Sequence, residues 1–182
     1  MAPVGFAFQP ILENDLVLLR PLEQADRSAL YALASDPLVW EQHPAKERST
    51  PEGFEPYFAE AIACGKAFAI LDKTNHQLMG TSRYHPVPEY EDAIEIGWTF
   101  LARKYWGAGY NRQVKDLMIR HAFHFVSHVL FHVDAQNYRS QKAVEKIGGR
   151  RLFEINDIMI SPRGPREFIF GIHRDQGSPQ YP

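Results

Sequence analysis

The chain has 182 residues, of which 45% are hydrophobic and 23% are charged, so its composition is that of one globular domain and excludes a disordered or fibrous protein. Its 20 basic and 22 acidic residues give a formal net charge of −2, which argues against a nucleic-acid partner because such binding surfaces are usually basic. The single cysteine, Cys64, permits neither an internal disulfide nor a cysteine-rich zinc site.

The hydrophobic pattern predicts a mixed α/β sheet in a single domain over residues 1–182. The predicted elements, in chain order, are a strand at 16–19, a helix at 26–35, a helix from Thr50 to Gly65, strands at 67–71, 79–84 and 93–101, a helix at 111–127, a strand at 129–135, a helix around 140–147, and strands at 151–155 and 168–173. Residues 161–165 read as a tight connection between strands and 175–182 as a loose tail.

The N-terminal residues carry no basic region of the kind that opens a secretion signal, and no apolar run approaches the roughly 18 residues of a transmembrane helix. We therefore expect a cytoplasmic protein without a membrane partner.

One carboxylate interrupts the apolar strand predicted at 93–101. Alternation places Ile94, Ile96, Trp98 and Phe100 on one face and Ala93, Glu95, Gly97 and Thr99 on the other. Strands seldom carry a carboxylate in such a position without a reason. Glu95 is therefore a candidate general base, with an exposed edge-face glutamate or an ion pair with a basic neighbour as the alternatives.

A glycine-containing loop follows this strand and leads into the long predicted helix. The segment comprises Lys104, Tyr105, Trp106, Gly107, Ala108, Gly109, Tyr110, Asn111 and Arg112. The first N–H groups of a helix have no internal acceptor and lie at its positive end, so a phosphate can bind there if no side chain blocks the backbone. A Walker loop is excluded because no Gly-Lys-Ser/Thr follows, and a dinucleotide fingerprint is a poor match because Arg112 replaces its third glycine. A simple glycine turn and the pyrophosphate loop of an acyl-coenzyme A enzyme are the remaining interpretations.

A second motif follows the strand at 129–135. It comprises Asn137, Ser140, Glu145, Lys146 and Gly148. Together with the loop Lys104-Tyr-Trp-Gly107-Ala-Gly109, it resembles the GNAT superfamily of N-acetyltransferases. Leu18-Leu-Arg-Pro-Leu22 and Glu95-Ile-Gly-Trp98 resemble the branch that contains the ribosomal-protein N-terminal acetyltransferases. The resemblance extends over roughly residues 14–173.

The resemblance implies a GNAT fold with a mixed, mostly antiparallel sheet, and acetyl-coenzyme A as the acyl donor. In that family the pantetheine arm lies between two splayed strands, here those of Glu95 and Ala135. The cofactor-binding residues that it implies are Lys104, Trp106, Gly107, Ala108, Gly109, Tyr110, Asn111, Arg112, Asn137 and Ser140. The acceptor is expected to be a small-molecule or peptide amine, and a homodimer is common among relatives.

The resemblance also implies attack of a primary amine on the thioester, which needs a base and a proton donor. Glu95 would act as the base, and Ser140 is the candidate acid, with a water as the alternative. Many relatives carry a tyrosine acid four residues after Ser140, where this chain has Val144. Because that acid is absent, a degenerate member that binds coenzyme A as a sensor or interaction module is the alternative to an enzyme.

Histidines and tryptophans outside these motifs are assigned to packing or solvent. His121, His124 and His128 lack a companion carboxylate in a metalloprotease arrangement, so no metal site is predicted. Trp40 and His43, which follow the first helix, are candidates for lining an acceptor pocket, and the acidic segment 89–92 could attract a cationic amine.

Overall fold

A computed structural model describes residues 2–88, 90–155, 158–159 and 166–176. Its strands are β1 Leu12–Glu13, β2 Val17–Pro21, β3 Ala67–Asp72, β4 Leu78–Pro86, β5 Ala93–Leu101, β6 His128–Asp134, β7 Arg150–Leu152, β8 Glu154–Ile155, β9 Ile158–Met159 and β10 Glu167–His173. Its α-helices are α1 Arg27–Ala34, α2 Pro51–Ala63, α3 Tyr110–Ala122 and α4 Tyr138–Lys146.

Eight of the strands form one open sheet in the order β1-β2-β3-β4-β5-β6-β10-β7. Its neighbouring strands are antiparallel except for β5 and β6, which are parallel. Parallel neighbours need a crossover connection, and α3 supplies it. The predicted single-domain mixed α/β fold is confirmed.

The sheet separates two apolar layers. Phe68 and Ile70 of β3 pack in the layer that contains Val114 and Met118 of α3. Ala69, the intervening residue, packs in the layer that α1 and α2 cover. The alternation along one strand therefore distributes its side chains between the two faces.

The boundaries of α2 follow from its sequence. Thr50 is the N-cap, and its hydroxyl oxygen accepts a hydrogen bond from the N–H of Gly53. Pro51 occupies the first turn, where its missing N–H has no cost. Phe54, Phe58 and Ala61 recur at helical spacing, and all three are buried.

The predicted faces of β5 are wrong beyond Gly97. The register moves from Arg83 opposite Gly97 to Thr81 opposite Phe100, so β5 carries one extra residue, and Trp98 has φ of 51°. This β-bulge exchanges the two faces of the strand. Trp98 and Phe100 consequently pack on the α1–α2 side, although Ile94 and Ile96 lie on the α3 side.

The predicted helix at 111–127 is too long, because α3 ends at Ala122. The N–H groups of Phe125 and Val126 both bond to the carbonyl of Ala122, which forms a turn. The turn leads directly into β6, and the N–H of Ser127 bonds to the Asp92 side chain. Phe125, seven residues after the buried Met118, would lie on the same face of a longer helix, but it is 37% exposed.

The predicted connection at 161–165 and most of the predicted tail lie outside the described residues. Among the described residues, no helix has the length and apolarity needed to cross a membrane.

Candidate functional site

The loop between β5 and α3 places a row of backbone N–H groups at a helix start. Gly109 is the N-cap of α3 with φ of 83°, and no side chain caps the helix. The first helical hydrogen bond runs from Gln113 N–H to the Gly109 carbonyl. The N–H groups of Tyr110, Asn111 and Arg112 therefore have no intrahelical acceptor. The first turn contains no acidic residue, so its positive potential is not offset locally.

The two glycines of this loop have left-handed backbone conformations, with φ of 75° at Gly107 and 83° at Gly109. A Cβ atom built at either position meets no atom within 4 Å. Glycine is thus required by the backbone angle, and the space beyond the backbone is open. Open space beside the backbone at the start of a helix fits a phosphate group.

The longer side chains of the loop make contacts within the protein. Lys104 Nζ donates to Gln77 Oε1 at 2.9 Å. Trp106 Nε1 donates to the Leu101 carbonyl at 2.8 Å, and the Arg139 guanidinium lies 4.1 Å above its ring. In this structure both side chains are therefore held by contacts within the protein.

Strands β5 and β6 separate at one end. Their parallel pairing comprises Ala93 with His128, Ile94 with Val129, and Glu95 with Leu130. Both strands continue beyond these pairs, β5 to Leu101 and β6 to Asp134. The strands therefore form a fork that closes at Glu95 and opens toward the loop and α3. The facing edges in the fork leave backbone groups for a ligand to pair with.

Glu95 is 2% exposed at the closed end of this fork. The alternative of an exposed edge-face glutamate is therefore wrong. The Oε1 atom of Glu95 lies 3.2 Å from Nδ1 of His132, a buried atom that is not aligned for a hydrogen bond. A Cβ at Gly97 would lie 3.0 Å from the same Oε1, so glycine at 97 makes room for the carboxylate.

Two residues near the fork escaped the sequence analysis. His132 interrupts an apolar strand as Glu95 does, and that interruption was the available signal. Lys115 precedes the buried Ile119 by four residues, so helical spacing places it on the inner face of α3. The sequence could have indicated this position, because Lys115 is a basic residue on the otherwise apolar face of the predicted helix.

Lys115 is 5% exposed and lies across β5 from Glu95. Its ammonium donates to Thr99 Oγ1 at 2.5 Å and to Ser82 Oγ at 3.3 Å, and lies 5.8 Å from the ring of Phe131 on β6. Burial lowers the pKa of Lys115 to about 7, and the charge of Glu95 partly opposes this effect.

The second predicted motif lies at the start of α4, directly after β6. Asn137 is buried and its Oδ1 accepts from the N–H of Ser140 at 3.1 Å, which caps the helix. Ser140 is half-buried. Val144 is 6% exposed and packs in the core, so it has no proton to donate where many relatives carry an acid.

The region after α1 packs against α4. Arg139 donates from its guanidinium to the Val39 carbonyl at 3.0 Å and from its N–H to Gln42 Oε1 at 2.9 Å. Trp40 is 3% exposed. Burial, with the nearby charge of Arg48, lowers the pKa of His43 to about 4, so its imidazole is neutral at physiological pH. Among the described residues, no cluster of histidine, cysteine and acidic side chains could hold a metal ion.

The sequence also matches a known protein family over most of its length. The family model of the acetyltransferase (GNAT) domain matches residues 17–150.

Similar solved structures include a GCN5-related N-acetyltransferase from Brucella melitensis, which has a TM-score of 0.79 and 19% identity, and for which the match covers 97% of this chain and 84% of that one. A spermidine N-acetyltransferase from Vibrio cholerae, in complex with CoA and spermine, has a TM-score of 0.65 and 16% identity, with coverage of 89% and 98%. A ribosomal-protein-S5-alanine acetyltransferase from Vibrio fischeri has a TM-score of 0.63 and 18% identity, with coverage of 94% and 100%. The structural likeness agrees in fold with the family match, which covers most of the sequence, and the chain therefore belongs to the GNAT acetyltransferase family.

Proposed function

We propose that this protein is an N-acetyltransferase that transfers an acetyl group from acetyl-coenzyme A to a primary amine. The observation that carries the proposal is the fork between β5 and β6. The fork has the glycine loop and the uncapped start of α3 at its wide end, and a buried carboxylate, Glu95, at its closed end. Membership of the GNAT family supports acetyl transfer in general.

The donor would be held by the backbone rather than by a dedicated charged side chain. The N–H groups of the glycine loop and the first turn of α3 suit the diphosphate, and the edge of β5 that faces the fork suits the amide groups of the pantetheine arm. Asn137 and Ser140 lie at the start of α4 on the β6 side of the fork. When bound, acetyl-coenzyme A supplies an activated acyl thioester.

Glu95 would accept the proton that the amine loses, either directly or through one water. Deprotonation of a lysine-type amine at pH 7 costs about 4.6 kcal/mol, whereas an α-amine with a pKa near 7.8 costs about 1 kcal/mol. A base is therefore needed more for a side-chain or polyamine acceptor than for a peptide N-terminus. His132 contacts Glu95 at 3.2 Å and would hold the carboxylate in place.

Ser140 would supply a proton to the departing thiolate. The fourth position after it, Val144, is a buried apolar side chain and takes no part in proton transfer. A water held at the start of α4 is the alternative donor.

The test is a coenzyme A release assay with acetyl-coenzyme A and a panel of peptides, polyamines and aminoglycosides. Release that depends on one class of amine supports the transferase and identifies its acceptor. Tight binding of acetyl-coenzyme A without release against any amine would instead identify a coenzyme A sensor.

A further inference from the structure

Two arginines stack on aromatic rings on the α1–α2 side of the sheet. The guanidinium carbon of Arg83 lies 3.7 Å from the ring centroid of Trp98. That of Arg48 lies 4.4 Å from the ring of Tyr57 and 5.6 Å from the ring of Trp40. These five residues form what we call the arginine–aromatic cluster. The Tyr57 hydroxyl links its two halves by donating to the Trp98 carbonyl at 2.9 Å.

One end of the arginine–aromatic cluster, Arg83, lies near Glu95. His85 of β4 lies opposite Glu95, and Arg83 lies opposite Gly97. Directly opposed residues of antiparallel strands project to the same face, as do residues two apart on one strand. Arg83 and Glu95 therefore share a face, separated along the strands by two residues, or roughly 7 Å.

The arginine–aromatic cluster contains two arginines that are buried or half-buried, but only one of them forms an ion pair with a described residue. Arg83 is 2% exposed and pairs with Glu60 at 2.9 Å, but its buried Nε atom has no hydrogen-bond partner. Arg48 is half-buried and forms no ion pair with the described residues. Glu47 and Glu60 act on Arg48 only at longer range.

Close packing of the segment that carries Arg48 against α2 fixes the position of this residue. The 3₁₀ helix Lys46–Ser49 packs so closely on α2 that a Cβ at Gly53 would lie 2.0 Å from the Glu47 carbonyl oxygen. Only glycine at 53 permits this contact. An arginine that is fixed, partly desolvated and without an ion pair is stabilised by an anionic ligand group, which it can bind through two parallel hydrogen bonds.

We propose that the amine acceptor also carries a carboxylate, which binds Arg48 in the arginine–aromatic cluster while the amine reaches Glu95. The inference rests on the proposed acetyl transfer and narrows its substrate class to amino acids and short peptides with a free carboxylate. Half-buried Arg48 and Trp98 leave this face reachable from solvent. A polycation such as spermine has no anionic group that Arg48 could bind.

The experiment compares acceptors with and without the carboxylate, each at the same concentration of unprotonated amine: single amino acids and dipeptides with a free C-terminus, and the same compounds as C-terminal amides. We measure KM and kcat by coenzyme A release, and the affinity of each acceptor by calorimetry with coenzyme A present. The free acids are expected to have a KM roughly tenfold or more below that of their amides, as a charge-assisted hydrogen bond predicts.

The diagnostic variant is Arg48→Met, which keeps a long apolar stem and removes the charge. It should raise the KM of the acids to that of the amides and leave the KM of the amides and the affinity for coenzyme A unchanged. The matched control is Arg27→Met, which removes an exposed arginine that pairs with Glu55 on the surface. It should change none of these quantities.

Equal KM values for acids and amides, preferred acetylation of polyamines, or an unaltered preference in Arg48→Met would overturn the inference. Calorimetry distinguishes failure of the inferred carboxylate site from failure of the proposed acetyl transfer. If no amine releases coenzyme A, the proposed transfer fails, whereas tighter binding of acids than of amides, abolished by Arg48→Met, still supports the anion site.

Discussion

Glu95 and Gly97 lie on one face of β5, and the absence of a side chain at 97 gives the Glu95 carboxylate its place. The carboxylate also contacts His132, so three residues from two strands define one buried acid. The proposed role of Glu95 as the general base can therefore be tested by changing this one side chain.

Glu95→Gln keeps the shape of the side chain but removes its ability to accept a proton. We expect the rate of coenzyme A release to fall by about 10²–10⁴-fold. The loss should be largest at low pH, where less of the acceptor amine is already deprotonated. The measurement is kcat/KM between pH 6 and 9, with Glu13→Gln, an exposed carboxylate on β1, as control. An equal loss at every pH would indicate a positioning role instead.

Lys115 is also buried, and the free-energy cost of burying its ammonium group depends on pH. Its pKa falls from 10.5 to about 7 on folding because burial disfavours the ammonium. The unfolded chain therefore binds the proton more tightly, so the cost of burying Lys115 is full below about pH 7 and disappears above about pH 10.

Lys115→Met should raise the free energy of unfolding by up to about 4 kcal/mol at pH 7 and by much less at pH 10. Ser82 and Thr99 remain paired with each other at 2.7 Å, so the substitution leaves no hydroxyl without a partner. Urea unfolding at pH 6, 8 and 10 measures the difference. Lys142→Met, at an exposed position of α4, should show no such dependence, and a gain in Lys115→Met that is constant with pH would contradict the assignment.

At the scale of elements, the start of α3 determines what the wide end of the fork can bind. Gly107 and Gly109 hold the loop in left-handed conformations, and their Cβ positions point into open space. The amides are consequently accessible, whereas most helix starts are covered by a capping side chain.

Gly109→Val should weaken coenzyme A binding by about tenfold or more, because a β-branched side chain disfavours this φ angle and occupies the open space above the amides. Titration calorimetry measures the affinity. Gly5→Val is the matched control, since Gly5 also has positive φ and open surroundings but lies near the N-terminus. It should cost stability without changing the affinity. Unchanged affinity in Gly109→Val would remove the loop from the binding site.

For the whole molecule, the fork divides the open sheet between β5 and β6. The apolar layer on the α3 side continues across the fork, whereas the layer covered by α1 and α2 includes residues of β5 but none of β6. A ligand in the fork would pair with edges of both strands and join the two halves of the sheet. Ligand binding should therefore stabilise the entire domain rather than one loop.

Coenzyme A at about 100 times its Kd should add about 2.7 kcal/mol to the free energy of unfolding. For a chain of this length, this amount raises Tm by about 5–10 °C. Thermal unfolding with coenzyme A, ATP and NAD at equal concentration gives the comparison. A larger shift with ATP or NAD than with coenzyme A would favour a nucleotide-binding protein.

The sequence by itself determined most of the helices and strands, the glycine loop before α3 and the motif at Asn137 and Ser140, because these features depend on local periodicity, caps and turns. The tertiary structure decided which residues meet. Only the bulge at Trp98 shows that Thr99 faces Lys115 rather than sharing the face of Glu95. Likewise, only folding brings Glu95 to His132 and Arg48 to Tyr57. These contacts join segments distant in the chain, and one extra residue in a strand reverses every side chain that follows it.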